Sequence, residues 1–406
     1  MSRTGPEGGV GGVGGVGGVG GVGGVGGVGG VGGVGGVGGV GGVGGVGGVG
    51  GSYGGYASPG VTDGLIKHRD GIVGNWLGAT LNPVQRVLED PANLEAWEPW
   101  VRAAIVDVDL LSHLQVTKHS ESFTYVNQAG TTVNKASNRS VTVWHMHVTN
   151  TGPGASPKAT SSRIATFIRP TPTIFKQQLV FLDRYADLRE DRASEIVSQM
   201  VPQYAYWSSI AYLHPDRTKK TIELLEAALR LANYVEMRVK HALACRRPNE
   251  YSPQVQPMIL TPGHGSLPSG HSTENHMVAR ILWELRGGTP GDVLGVEFMR
   301  QAARIAANRT VAGVHFPVDS VAGQMLGLTL ARYFVRRAKG TTGFRAWRFD
   351  GERYPGTLDF DFNDLYNTNT AQQKPAPYVD LLPSQPLPEG SAILRWLWTE
   401  AAKEWV

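Results

Sequence analysis

The stretch Leu267-Pro268-Ser269-Gly270-His271-Ser272-Thr273-Glu274 sets a proline, a small hydroxyl residue, a glycine and a histidine at the head of a run that reads as helix to Leu285. Backbone N–H groups at a helix start have no intrahelical acceptor, and a glycine lets a ligand come close to them. The tetrapeptide 268–271 therefore has the makings of an anion cradle, with His271 at its rim able to give or take a proton near neutral pH. An ordinary Ser/Gly helix cap beside an incidental histidine has the same letters, so the neighbouring blocks have to decide.

Two further blocks lie on either side. Upstream, Lys240 and Arg247-Pro248 close a helical pattern of about 218–246, in which Ile222, Leu225, Leu229 and Ala232 form one apolar stripe. Seven residues are nearly two turns, so the spacing predicts Lys240 and Arg247 on one helix face about 10 Å apart, a point charge and a planar fork converging on one anion. Downstream, Arg309, His315 and Asp319 follow at spacings of six and four. On one unbroken helix Arg309 and His315 would diverge by about 120°. Gly313 and Pro317 supply a break that puts His315 in a turn, and Asp319 can then reach back to one imidazole nitrogen and leave the other free.

Taken together, Lys240-x6-Arg247-Pro248, Pro268-Ser-Gly-His271 and Asn308-Arg309-x5-His315-x3-Asp319 resemble the signature shared by vanadium haloperoxidases, bacterial class A acid phosphatases and type 2 phosphatidic acid phosphatases. The resemblance implies vanadate or phosphate held by Lys240, Arg247, Ser269, Gly270 and Arg309. His315 would be the direct vanadium ligand or the phosphorylated nucleophile, and His271 the general acid or base. Asn308 stands where the family usually has Ser, and Met237 where the haloperoxidases carry Trp. His264, seven residues before His271, resembles the algal bromoperoxidases, where the fungal chloroperoxidases have Phe, and the resemblance adds it to the site as a halide-pocket residue. The activity implied is vanadate-dependent oxidation of bromide or iodide by hydrogen peroxide, with phosphate-ester hydrolysis through a phosphohistidine as the alternative.

The remainder of the 406 residues bounds this reading. From about Gly8 to Gly51 runs a Val-Gly-Gly repeat, expected to be a disordered tail because it buries little and loses much entropy on ordering. A net charge of +4 with scattered basic residues gives no nucleic-acid signature, and the single Cys245 can form no intrachain disulfide. No secretory leader and no uncharged run of membrane-spanning length is read, so a protein in the cytoplasm away from membranes is expected; homo-oligomerisation stays open. The expected fold is mainly α: a haloperoxidase/acid-phosphatase-like helical bundle over 165–340, preceded at 52–164 by short helices and a small β-hairpin at 122–148. A surface wrap with a terminal helix follows over 341–406, and 1–51 is the tail. Helices are expected over about 171–199, 218–246, 272–285, 291–311 and 317–339. His145 and His147 share a strand face, but with no third ligand nearby they read as packing residues.

Overall fold

The computed structural model describes residues 83–127, 129–149, 156, 158–201, 203–386 and 390–405. The Val-Gly-Gly tail lies outside them. The chain divides into two compact units, residues 1–104 and 105–406. In the first, a short 3-10 helix at Pro91–Ala96 is capped by the Asp90 carboxylate, which accepts from the Ala92 N–H at 2.9 Å. Everything that bears on the site lies in the second.

Three long strands open that unit: β1 (Leu114–Val126), β2 (Thr132–Thr149) and β3 (Lys158–Ile168). Eight helices follow helix α1 (Pro99–Leu111). They are α2 (Pro172–Ala186), α3 (Arg189–Ser198), α4 (Tyr204–Ala211), α5 (Lys219–Leu243), α6 (Gly270–Leu285), α7 (Val293–Val311), α8 (Pro317–Lys339) and, near the C-terminus, α9 (Ala392–Ala402). Between α8 and α9 lie β4 (Phe344–Asp350), the two-residue strands β5 (Tyr366–Asn367) and β6 (Gln372–Gln373), and β7 (Val379–Gln385).

The mainly α expectation with one small hairpin is overturned by the sheet. Five strands pair in the order β1-β2-β3-β4-β7, antiparallel except for β3 and β4, which run parallel with Ala165 opposite Trp347 and Ile168 opposite Asp350. The physical reason is visible in the missed strands. The first half of β3, Lys158 to Ser162, is rich in Ser and Thr and reads as loop. Its second half, Ile164 to Ile168, is buried on both faces and so lacks the alternation that marks a half-exposed strand. β4 is almost wholly buried although its sequence carries Arg345 and Arg348, and it sits in a Pro-, Asp- and Asn-rich stretch expected to wrap the surface. β7 tolerates Pro383 because it is an edge strand.

The helices depart from expectation in three places, the first being α4, which no expected helix covers. The run 171–199 is two helices, α2 and α3, and no Gly or Pro marks the break near Asp187. Helix α5 ends at Leu243, three residues short of the expected end, because Ala244 takes a left-handed conformation (φ 50°) and returns its N–H to the Lys240 carbonyl at 2.9 Å. An alanine gives no warning of such a stop. At the core of the bundle, α6 packs against α5, α7 and α8. Gly323 of α8 makes room for this: a Cβ there would come within 2.6 Å of the Ser269 carbonyl oxygen. One continuous apolar core joins Val143 and Phe167 of the sheet to Leu231, Leu282 and Leu326 of the helices.

Candidate active site

The three blocks meet at the start of α6. Ser269 caps this helix, its hydroxyl accepting from the Ser272 N–H at 3.4 Å, and its own N–H donates to the Asp319 carbonyl at 2.9 Å. Gly270 and His271 then occupy the first turn, where helical N–H groups have no intrahelical acceptor. Gly270 leaves room for a neighbour: a Cβ there would sit 2.5 Å from Oε1 of Glu236 on α5 and would displace that carboxyl.

Lys240 is 1 % exposed in the last turn of α5, and its ammonium donates to the carbonyls of Ser266 and Pro268. Burial lowers its pKa to about 8, Glu236 opposing, so it is still a cation at neutral pH. Because α5 has already stopped, Arg247 reaches the site from extended chain and not from the same helix face as Lys240. Pro248 disfavours helical backbone at Arg247, which accounts for this geometry. Its guanidinium is held on all sides: Nη1 donates to Val314 O at 2.7 Å and to His315 Nε2 at 3.0 Å, Nε to His264 O at 3.1 Å, and Nη2 meets His264 Nδ1 at 3.1 Å.

The break predicted between Arg309 and His315 is present. Helix α7 ends at Val311, Gly313 takes φ +79°, and α8 begins at Pro317. His315 Nδ1 lies 3.0 Å from Asp319 Oδ2, which also accepts from Ser266 Oγ at 2.5 Å and from the Phe316 N–H at 2.9 Å. The imidazole therefore carries its proton on Nδ1 and presents the Nε2 lone pair to Arg247. Burial first, then the charges of Arg247 and Lys240, hold His315 well below the ordinary histidine range, while burial raises Asp319 to about 6. Close as they are, the two form a neutral imidazole N–H on a carboxylate at pH 7, not a charged pair.

Arg309, 1 % exposed at the end of α7, is held differently. Its Nη2 donates to Gln199 Oε1 at 2.7 Å and to Ile196 O at 3.3 Å, but Nε and Nη1 are buried without a protein acceptor. Asn308 does not face the anion with it. Its amide donates to Glu195 at 2.9 Å and to Gln199 at 3.1 Å and accepts from Arg192 at 2.7 Å. His271 turns Nε2 to the Gln199 carbonyl at 2.7 Å, and burial, with Arg309 beside it, lowers its pKa to about 3. As drawn, His271 is neutral with Nε2–H engaged, so proton transfer through that nitrogen requires it to leave Gln199. His264 lines an open cavity of about 540 Å³ with Arg247, Asn249, Glu250 and Thr261.

Sequence reasoning missed three residues. Gln199 joins Arg309 to His271, and only its position at the end of α3, outside every motif, carries the signal. Glu236 and Glu274 are buried carboxyls on α5 and α6, one turn from Lys240 and Gly270 respectively; burial raises Glu274 to about 7 against the Lys240 charge, and burial together with the Glu274 charge raises Glu236 well above its ordinary range. Their spacing of four from Lys240 and Gly270 was readable but looked like solvated helix charge. His145 is core: Nδ1 meets the Tyr333 hydroxyl at 2.7 Å and the ring stacks on His113 at 4.9 Å. Among the described residues no group of three or more His, Cys, Asp or Glu is placed to hold a metal ion by itself, and no helix is long and apolar enough to cross a membrane.

The donor set suits a tetrahedral oxyanion such as vanadate. Lys240 and Arg247 bear on the His315 imidazole and, together with Arg309, on His271; among the described residues of the three blocks, the buried side-chain donors without a protein acceptor are the Arg309 Nε and Nη1. Residues 224–341, which contain all three blocks, match the family model of the PAP2 superfamily. No curated protein matches the chain.

Proposed function

We propose that this chain, whose segment 224–341 matches the PAP2 superfamily, is a vanadate-dependent haloperoxidase that oxidises bromide or iodide with hydrogen peroxide. The observation that carries the reading is a neutral His315, its Nδ1–H fixed by Asp319 and its Nε2 lone pair turned to the Arg247 guanidinium, in one site with an Arg309 guanidinium that has two buried N–H directions unused. In this reading His315 Nε2 would hold vanadate, with Ser269, Gly270, Lys240, Arg247 and Arg309 on its oxygens. Bound there, vanadate supplies a Lewis-acid centre that activates peroxide without changing oxidation state.

The chain's own residues do the rest. Arg247 and Arg309 neutralise the oxyanion, and the N-terminus of α6 adds its aligned N–H groups. Lys240, already desolvated, directs its ammonium at oxygen charge that grows as the O–O bond breaks. His271, once released from Gln199, moves the proton; its depressed pKa makes it a ready donor once charged and keeps it neutral in the resting site. His264 borders the cavity through which halide would approach.

Phosphate-ester hydrolysis is the second reading, supported by the same unprotonated Nε2 once Arg247 yields it, since phosphate has the shape and charge of vanadate and an in-line imidazole can take the phosphoryl group. The deciding experiment assays purified apo-protein, with and without orthovanadate, for bromination of a phenolic dye precursor and for p-nitrophenyl phosphate hydrolysis. Vanadate-dependent bromination supports the first reading. Hydrolysis that vanadate inhibits, without bromination, replaces it with the second.

A further inference from the structure

Gln199 stands outside all three motifs and outside residues 224–341, yet it touches two of the site's working groups. It follows the last residue of α3 and is fully buried. Its Oε1 accepts from Arg309 Nη2 at 2.7 Å and from Asn308 Nδ2 at 3.1 Å, and its Nε2 donates to Glu195 Oε1 at 3.0 Å. Its backbone carbonyl accepts from His271 Nε2 at 2.7 Å and from Gln203 Nε2 at 2.9 Å. One residue thus orients Arg309 by its side chain and His271 by its main chain.

The chemical type of that side chain matters more than its reach. A carboxylate at this distance from a desolvated guanidinium would neutralise it, because the interaction of opposite charges in a dry site is large. The carboxamide fixes one edge of Arg309 with a hydrogen bond and leaves the charge uncompensated, with Nε and Nη1 unused. A carboxylate does enter the network, on Glu195, but it is spent elsewhere. Arg304 grips both its oxygens at 2.8 and 2.7 Å, and the amides of Asn308 and Gln199 take up more of its lone pairs. Burial pushes the Glu195 carboxyl up, but these partners outweigh it and hold it below the usual carboxylate range. Two neutral amides therefore stand between an ion pair at the surface and the cation in the site.

We propose that Gln199 is a positioning residue that sets the site's affinity for tetrahedral oxyanions by holding Arg309 in place without neutralising it. The inference rests on the oxyanion site described above. Its test uses the full chain, with inorganic phosphate and orthovanadate as separate probes in calorimetric titrations. Gln199→Glu has the same size and leaves the backbone contact to His271 intact; it should weaken both anions at least about 30-fold because its carboxylate pairs with the Arg309 guanidinium, while the lost donor to Glu195 lowers the melting temperature, so the comparison of backgrounds carries the test. In an Arg309→Met background the same substitution should cost less than about threefold, a non-additivity that general damage to the fold would not produce. If Gln199→Glu fails to fold, Gln199→Met carries the test: it keeps the Arg309 charge but releases its edge, and a loss of about three- to tenfold that vanishes in the Arg309→Met background is expected. Wild-type affinity in the folded Gln199 variant, or equal losses in both backgrounds, overturns the proposal while the oxyanion reading stands. A wild-type protein that binds neither anion overturns the oxyanion reading itself.

Discussion

Arg247 and Arg309 are both buried guanidiniums aimed at the head of α6, and they are held in opposite ways. On the Arg247 side nearly every donor has a protein acceptor already: Val314, His264 and His315 close around it, and Lys240 is tied to the carbonyls of Ser266 and Pro268. On the Arg309 side one edge is fixed by Gln199 and Ile196 while the other is bare. A buried donor without a partner costs on the order of 1–3 kcal/mol, so an acceptor that reaches the bare edge of Arg309 would recover that cost. On the proposed reading the difference divides the labour within one site: both guanidiniums face the oxyanion, but Arg247 also holds the shape of the site, whereas Arg309 keeps two donors for the ligand alone.

The sharpest way to break this comparison is to remove each guanidinium in turn. Arg309→Met should abolish measurable turnover and weaken phosphate or vanadate by about 100-fold or more, the usual cost of one preorganised charged donor, with little change in melting temperature. Arg247→Met should lose activity as well, but also stability, by about 1–3 kcal/mol, since the Val314 and His264 carbonyls are left without a donor. Anion titration beside urea unfolding reads both. Equal destabilisation by the two variants would mean that the two sides are not divided as proposed.

His315 and Asp319 come next in size. His315→Ala removes the nucleophile or ligand and should leave no activity of either kind. Asp319→Asn keeps the shape but no longer fixes the Nδ1–H tautomer, and should lower turnover about 10- to 100-fold, the range usual for a group that orients a ligand. Steady-state rates on matched protein concentrations test this, and an Asp319→Asn enzyme at the wild-type rate would remove the tautomer argument.

Lys240 separates the two chemistries. Lys240→Met should keep vanadate affinity within about tenfold while bromination falls about a hundredfold, if its ammonium acts mainly on charge that develops late. If the enzyme is a phosphatase, the same change should raise KM as well as lower kcat, since the cation already contacts bound substrate.

How much of this was legible in the sequence follows the same division. The turn that frees His315 from α7 was readable from Gly313 and Pro317, and the Asp319 contact from a spacing of four, because local rules govern both. The bundle helices were readable from their apolar stripes. What failed was non-local or unmarked. The stop of α5 rests on a left-handed alanine with no sequence signal, so Arg247 was placed on the wrong element. The sheet was mistaken for a hairpin because β4 is completed by strands far away in sequence and its half-polar stretch is buried by that pairing. Gln199 gave no motif because its meaning lies in Arg309 and His271, both of which come from other helices.

The smallest expected effect tests whether the carboxyls behind the cradle are held in their protonated form. Glu274 has a folded pKa raised by burial to about 7, against an ordinary value of 4.5. Between these values the folded state binds a proton that the unfolded state has released, so stability contributed by this group is present at low pH and is lost as pH rises through about 7. Glu274→Gln mimics the protonated form at every pH. The variant should match wild type near pH 4.5 and become progressively more stable than it as pH rises toward about 7, levelling off above that, with a final gap on the order of 1–3 kcal/mol. Urea midpoints at several pH values between 4.5 and 8 measure it. A gap that is constant across pH would show instead that Glu274 is ionised throughout and that the raised carboxyl next to the Lys240 side of the cradle does not exist.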